Sequence, residues 1–277
     1  MALLTRRICS VSLLFLLWTV PATVNAWNRL PLQAEPPIVL QSGIMQFDFG
    51  LQYLSHSNFP FSSFSQDAGR DVLSLPTLAM RIGLGKRSEL RLCYEVLFVE
   101  EGAFRIREAW KSGDLDIFTK IEFWQERRWL PATGVNVGVK LPNAGNNYRV
   151  GTDETDVAVS ALFAKQFASV ATTANIGLLI LGNPFAHARQ DDLLSYALAC
   201  SWPWNARITT TAEIAGQMFG TSDNQRSSAL FHLSLREHHL TWTLSGRIGL
   251  LSNSEDWGLS AGAAWTWDGL RRWAGSK

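Results

Sequence analysis

Few cysteines, no long apolar run after the first 26 residues and no excess of one charge narrow the reading of this sequence. Of its three cysteines, Cys9 falls in the N-terminal leader, and Cys93 and Cys200 are too few and too far apart for a disulfide framework or a thiolate metal site. They read as two small strand side chains. The 277 residues carry 25 Lys and Arg against 24 Asp and Glu. Such neutrality lacks the basic excess of a nucleic-acid footprint. Beyond the leader no stretch approaches the roughly 18 consecutive apolar residues of a membrane helix. Nucleotide-loop, zincin and calcium-loop patterns are also missing, so no cofactor and no metal are expected.

The leader itself is a secretory signal. Arg6 and Arg7 precede the apolar stretch Ile8 to Val20, Pro21 breaks it, and Val24-Asn25-Ala26 offers small residues for cleavage after Ala26. The mature chain then loses two arginines and no acid, leaving 23 basic against 24 acidic residues. It remains rich in aromatic residues and glycine, with 12 Trp, 15 Phe and 21 Gly in the full sequence. Without a helical span, such a chain can cross a bilayer only as a closed barrel, where every backbone N–H and C=O is paired.

A period of two recurs along the chain, as expected when one strand face meets lipid and the other a polar interior. In 46–53, Phe47, Phe49, Leu51 and Tyr53 oppose Gln46, Asp48, Gly50 and Gln52. In 114–123, Asp114, Asp116, Lys120 and Glu122 oppose Leu115, Ile117, Ile121 and Phe123. Twelve such segments follow one another between residues 46 and 266, with the weakest alternation in 170–181, at Leu178-Leu179-Ile180-Leu181. The connectors alternate between long (55–72, 100–112, 142–154, 182–191) and short (85–88, 125–130, 168–169, 203–205, 238–239). That is the rhythm of long external loops and short periplasmic turns. The expectation is an all-β, 12-stranded antiparallel transmembrane outer-membrane β-barrel over residues 44–267. It is preceded by the signal (1–26) and a periplasmic segment (27–43), and followed by a periplasmic tail (268–277). Asn28 to Gln41, with Pro31, Pro36 and Pro37, has the polarity to fold into the lumen as a plug. Tyr53, Phe98, Trp124, Trp129, Phe167, Trp202, Trp204, Phe219, Trp257 and either Trp265 or Trp267 fall near strand ends, where an aromatic girdle is expected.

The polar parity names the expected lumen lining: Asp48, Arg81, Arg91, Glu95, Asp114, Asp116, Lys120, Glu122, Asn136, Lys140, Asp156, Arg207, Glu213, His232, Arg236 and Arg247. Charges of both signs must pair or stay wet. They line an aqueous path or lock the lumen, and the sequence leaves both open. Phe59, Phe61 and Phe64 in the first long connector are candidates for contact with an apolar solute.

Gly113-Asp114-Leu115-Asp116, Lys120, Pro131, Gly138-Val139-Lys140-Leu141-Pro142, Gly151-Thr152 and Asp156 carry a family likeness. Over residues 113–167 the chain resembles the outer-membrane transporter family associated with the meta-pathway of phenol degradation. It departs from that pattern at Asn143-Ala144-Gly145, where members commonly show Thr-Gly. The resemblance implies a single-chain barrel passing small, often aromatic or hydrophobic, compounds.

Three functions fit these residues. The leading one is an outer-membrane channel or facilitator for small solutes, with membrane lipid, a small-molecule solute and the barrel-insertion machinery as partners and no nucleic acid. A hydrolase of the esterase or phospholipase type would draw on His232 and Ser234, two residues apart on one face, with Thr241 and Thr243 beside them; His56-Ser57-Asn58 is a second polar cluster. His238-His239 sits in an expected turn. A structural barrel with a closed lumen is the third.

Overall fold

The computed structural model describes residues 33–58, 69–99, 109–144, 152–184 and 189–268. The signal segment, the loop aromatics Phe59, Phe61 and Phe64, and residues 269–277 lie outside them. Twelve strands run in sequence order: β1 (Met45–Ser57), β2 (Arg70–Gly83), β3 (Ser88–Val99), β4 (Ala109–Trp124), β5 (Ala132–Leu141) and β6 (Asp156–Phe167) form the first half. The second half is β7 (Val170–Gly182), β8 (Gln190–Pro203), β9 (Ile208–Met218), β10 (Arg226–Glu237), β11 (Leu240–Gly249) and β12 (Trp257–Trp267). Each pairs antiparallel with its neighbour, and β1 closes the cylinder on β12, from Met45 opposite Trp267 to Ser55 opposite Trp257. Closure leaves no sheet edge with unpaired backbone groups, the condition for a barrel in hydrocarbon.

Its polarity is reversed relative to a water-soluble barrel. Phe49, Ile176, Leu198, Phe231, Leu244 and Leu259 are exposed on the outer face. Gln46, Lys120, Glu213, His232, Ser234 and Thr243 are buried inside. The period of two makes this inversion possible, because successive side chains leave opposite faces of a strand. The exposed apolar surface suits lipid and would be costly in water. Two aromatic levels bound it. Phe47 stacks with Trp265 (centroids 5.8 Å apart) near the short-turn end, joined there by Trp124, Phe167, Trp202 and Trp204. Tyr53–Trp257 (5.3 Å) and Phe98–Trp110 (5.2 Å) mark the long-loop end.

Long connections (58–69, 100–108, 142–155, 183–189, 219–225, 250–256) all lie at one end, and short ones (84–87, 125–131, 168–169, 204–207, 238–239) at the other. His238-His239 is a two-residue turn, with His238 at φ 50°. The ladder slips at Ser74/Thr77 of β2 and Gly50/Gln52 of β1, beside Pro76. A proline has no N–H for a ladder, so it belongs at a bulge.

The weak alternation in β7 has a structural reason. Leu179 and Leu181 point inward and meet Leu193 of β8, so this part of the inner face is apolar. Leu54, Val72, Leu97 and Ala144 make a second apolar inner cluster near the long loops. Below these, the interior turns polar.

Candidate functional site: the lumen and the segment inside it

The lumen is not empty of chain. Residues 33–44 precede β1, and 34–40 run within the barrel. Ala34, Glu35, Pro36 and Pro37 are buried, as are Val39 and Leu40. Glycine makes the space for them. A Cβ on Gly83 would meet the carbonyl oxygens of Leu40 and Gln41, and one on Gly134 would come 3.0 Å from Pro37. Ala34 packs among Ala197, Ala199 and Ala215 of β8 and β9, where small side chains let the segment approach the wall.

Polar contacts hold this segment at three heights. The Leu40 N–H donates to Glu89 Oε2 at 2.8 Å. The Glu35 carbonyl accepts from Asn175 Nδ2 at 2.8 Å, and the Ala34 N–H donates to Glu213 Oε1. Between them the Glu35 carboxylate sits among three cations: Lys120 Nζ at 3.0 Å, Arg91 Nη1 at 3.0 Å and Arg81 Nη1 at 3.9 Å. Asn136 Nδ2 adds a hydrogen bond of 3.3 Å. Burial alone would push the Glu35 carboxyl up; Arg91, Lys120 and Arg81 outweigh it and hold the group well below the usual carboxylate range.

The three cations come from three adjacent strands. Arg81 of β2 lies opposite Arg91 of β3, and Arg91 opposite Phe118 of β4, whose ring lies 4.4 Å from the Arg91 guanidinium. Lys120 is two residues further along β4 and also pairs with Glu89 at 3.3 Å. Arg81 reaches Asp48 at 3.6 Å. The three cations are therefore paired within 3.9 Å by Glu35, Glu89 and Asp48, and Glu35 touches all three.

Other residues named from the sequence occupy distinct places. Lys140 links Asp114 (3.4 Å) and Asp156 (2.6 Å) across β4, β5 and β6. Asp114 also accepts the N–H groups of Asn143 and Ala144, and Asp156 that of Gly182, so this trio ties loop backbone to the barrel rim. Glu95 and Asp116 line the cavity above the arginines. Glu122 is buried near the short-turn end and Arg236 is half-buried there. Arg247 pairs at 3.3 Å with Glu255 from the 250–256 loop, and Glu255 accepts from Ser228 at 2.7 Å, so that loop folds back over the mouth. Arg207 differs from the expected lining. It falls in the 204–207 turn, outside β9, and is exposed: Asn205 Oδ1 accepts the N–H groups of Arg207 and Ile208 and holds the turn, so the strand starts only at Ile208.

His232 is joined to partners that sequence spacing does not suggest. Its Nδ1 is 2.7 Å from Ser245 Oγ on β11 and its Nε2 3.0 Å from Glu213 Oε2 on β9. Ser234 instead meets Thr243 at 3.3 Å. The Ser–His–Glu order is that of a hydrolase relay. Yet Ser245 is buried, Glu213 shares its second oxygen with Ala34, and β11 is paired on both sides at Ser245. Strand N–H groups spent in ladders cannot stabilise an oxyanion. The relay therefore acts as a tether for the segment. His56 and Ser55 lie beside Asp71 at the long-loop end, and His56 reaches Asp256 at 3.3 Å.

Two cavities flank the segment. One, of about 510 Å³, is bordered by Arg81, Arg91, Glu95, Asp116 and His232; the other, of about 520 Å³, by Glu35, Asn136, Asn175 and Tyr196. Gln33, Arg91, Phe118 and Arg247 border both. An apolar groove on the outer wall, with Phe49, Leu75, Trp242 and Leu244, shares Phe49, Gly50, Thr243 and Gly262 with the lining of the first cavity. Cys93 and Cys200 are free thiols. Among the described residues, no group of three or more His, Cys, Asp or Glu side chains is placed to hold a metal ion.

Sequence reasoning missed Glu35, Glu89, Asn175, Ser245 and Glu255 as contributors. A signal for Glu35 was present: three inward cations on adjacent strands demand a counter-charge, and the proline-flanked acid of the preceding segment supplies it.

No family model matches the chain, and no curated protein matches it significantly in sequence. The fold is similar to that of the COG4313 outer membrane channel from Pseudomonas putida F1, with a TM-score of 0.66 and 12% identity over 87% of this chain and 100% of that one. At that identity the likeness establishes the fold, a 12-stranded barrel of the transmembrane type. The outer membrane channel DcaP of Acinetobacter baumannii (TM-score 0.33, 11% identity, 80% and 72% of the two chains covered) is more distant. So is the outer membrane protein opdK from Pseudomonas aeruginosa (0.37, 8%, 81% and 97%). Neither bears on the argument.

Proposed function

We propose that this chain is a bacterial outer-membrane channel for small solutes, with both termini periplasmic, and that residues 33–41 occlude its lumen as a displaceable plug. The observation that carries the reading is the Glu35 carboxylate set between Arg91 and Lys120, each at 3.0 Å, inside a continuous barrel. A segment meant as permanent core would be seated mainly by apolar packing. This one is held largely by ion pairs and hydrogen bonds, which a competing anion can take over.

Cavities of about 510 and 520 Å³ on the two sides leave room for small molecules next to the segment. The charges around them favour a solute carrying a polar group over a bare hydrocarbon. An aromatic body remains acceptable, since Phe118 borders both spaces. Membrane lipid around the apolar wall and the barrel-insertion machinery are the partners such a chain requires.

The test is a cross-link. In a background where Cys93 and Cys200 are Ser, Ala34→Cys with Ala199→Cys tethers the segment to β8. Conductance in a planar bilayer should fall when the pair is oxidised and recover on reduction. Equal conductance in both states overturns the proposal and leaves a structural barrel or a pore elsewhere.

A further inference from the structure

The cluster that grips Glu35 has the composition of a receptor for a carboxylate. Two guanidiniums and an ammonium, from β2, β3 and β4, converge on two carboxylate oxygens, with an amide N–H from Asn136 completing the ring. Arginine forks and lysine suit a carboxylate for geometric as well as Coulombic reasons. Withdrawing Glu35 would take from Arg91 its carboxylate partner at 3.0 Å and leave Lys120 with Glu89 alone. A buried cation stripped of its partner is costly, so the vacated site calls for another carboxylate.

We infer that Arg81, Arg91, Lys120 and Asn136 form a binding site for the carboxylate of a small solute, and that Glu35 occupies it in cis until such a solute takes its place. This rests on residues 33–41 being a displaceable plug, and it names the chemistry that displaces them. Exchange of one carboxylate for another keeps the charge balance and the hydrogen bonds of the site. It therefore avoids the penalty that water alone in the site would carry. Donor capacity remains for an incoming carboxylate: Arg91 Nε is buried without a hydrogen-bond partner.

The surroundings set the rest of the solute. Phe118 lies against Arg91 and borders both cavities, offering an apolar face next to the charged site. Glu95 and Asp116 border the same cavity as Arg81 and Arg91. Their carboxyl groups disfavour a second negative charge on the solute. The class is a monocarboxylate with a compact, unsaturated or aromatic body.

The experiment uses the full barrel in detergent with benzoate as probe and benzyl alcohol as its neutral counterpart, at fixed ionic strength. Removing the cis competitor in Glu35→Ala should tighten benzoate binding at least tenfold, and Glu35→Gln, which keeps the shape, should tighten it by a smaller factor. Adding Arg91→Met to Glu35→Ala should abolish the gain, and benzyl alcohol should gain nothing in any variant. Heat-modifiable migration on a gel confirms that each barrel is folded. Unchanged benzoate affinity in Glu35→Ala, or an equal gain for benzyl alcohol, overturns the assignment. If benzoate gains nothing while the Ala34–Ala199 cross-link still closes the channel, the plug stands and the carboxylate site falls. If benzoate gains affinity while the cross-link leaves conductance unchanged, the site stands and the plug falls.

Discussion

Replacing Glu35 with Gln perturbs the segment at its strongest point while keeping its volume. The carboxylate faces Lys120 and Arg91 at 3.0 Å each, Asn136 at 3.3 Å and Arg81 at 3.9 Å. An amide can present one oxygen to one of these groups, but its NH2 then points at another cation. Breaking a buried ion pair by removing one partner costs about 3–5 kcal/mol. Three tethers survive: Ala34 to Glu213, Asn175 to the Glu35 carbonyl, and Leu40 to Glu89. At about 1.4 kcal/mol per factor of ten, the docked-to-free ratio of the segment should fall by roughly 10²-fold or more. Single-channel recording reads this as a rise in the fraction of time open, and a spin label at Gln33 reads it as a broadened distance to the wall. A folded Glu35→Gln barrel whose open fraction and label distances match the wild type would refute the ion-pair account of closure.

Gly83→Val places a side chain against the carbonyls of Leu40 and Gln41; conductance should rise with the barrel still folded, and an unaltered conductance would mean that the segment yields without leaving. Leu244→Arg puts a charge on the outer face midway along β11, where Leu244 is 57% exposed; the expected loss is about 2–4 kcal/mol in denaturant unfolding from vesicles, and a loss near zero would place that face in water. Acidification tests the docked carboxylate. Because the docked pKa of Glu35 lies below the free value, its contribution is complete above the free value of about 4.3 and fades only as pH falls through the docked one. Channel closure measured at pH 5.5 should therefore match that at pH 7, and loss of the Glu35 contribution between those values would contradict the arrangement of Arg81, Arg91 and Lys120.

Strand count, closure and polarity were legible along the chain because a strand repeats every two residues. Gln46 and Asp48 against Phe47 and Phe49, or Asp114 and Asp116 against Leu115 and Ile117, report two environments without any tertiary information. The order of long and short connectors separated the two ends in the same way. Departures came where a local rule met a tertiary one. Leu179 and Leu181 broke the alternation because the inner wall there is apolar. Arg207 kept the polar parity yet lay in a turn.

The covalent chain thus determined a cylinder with lipid outside and ions within, since alternation is local and needs no knowledge of which strand faces which. Three-dimensional closure alone decided how those ions are matched. It brought Glu35 to Lys120 across 85 residues and Ala34 to Glu213 across 179, and it set His232 between Ser245 and Glu213 on the two adjoining strands. Such pairings depend on register and on the path of a segment through enclosed space, and no periodicity encodes either.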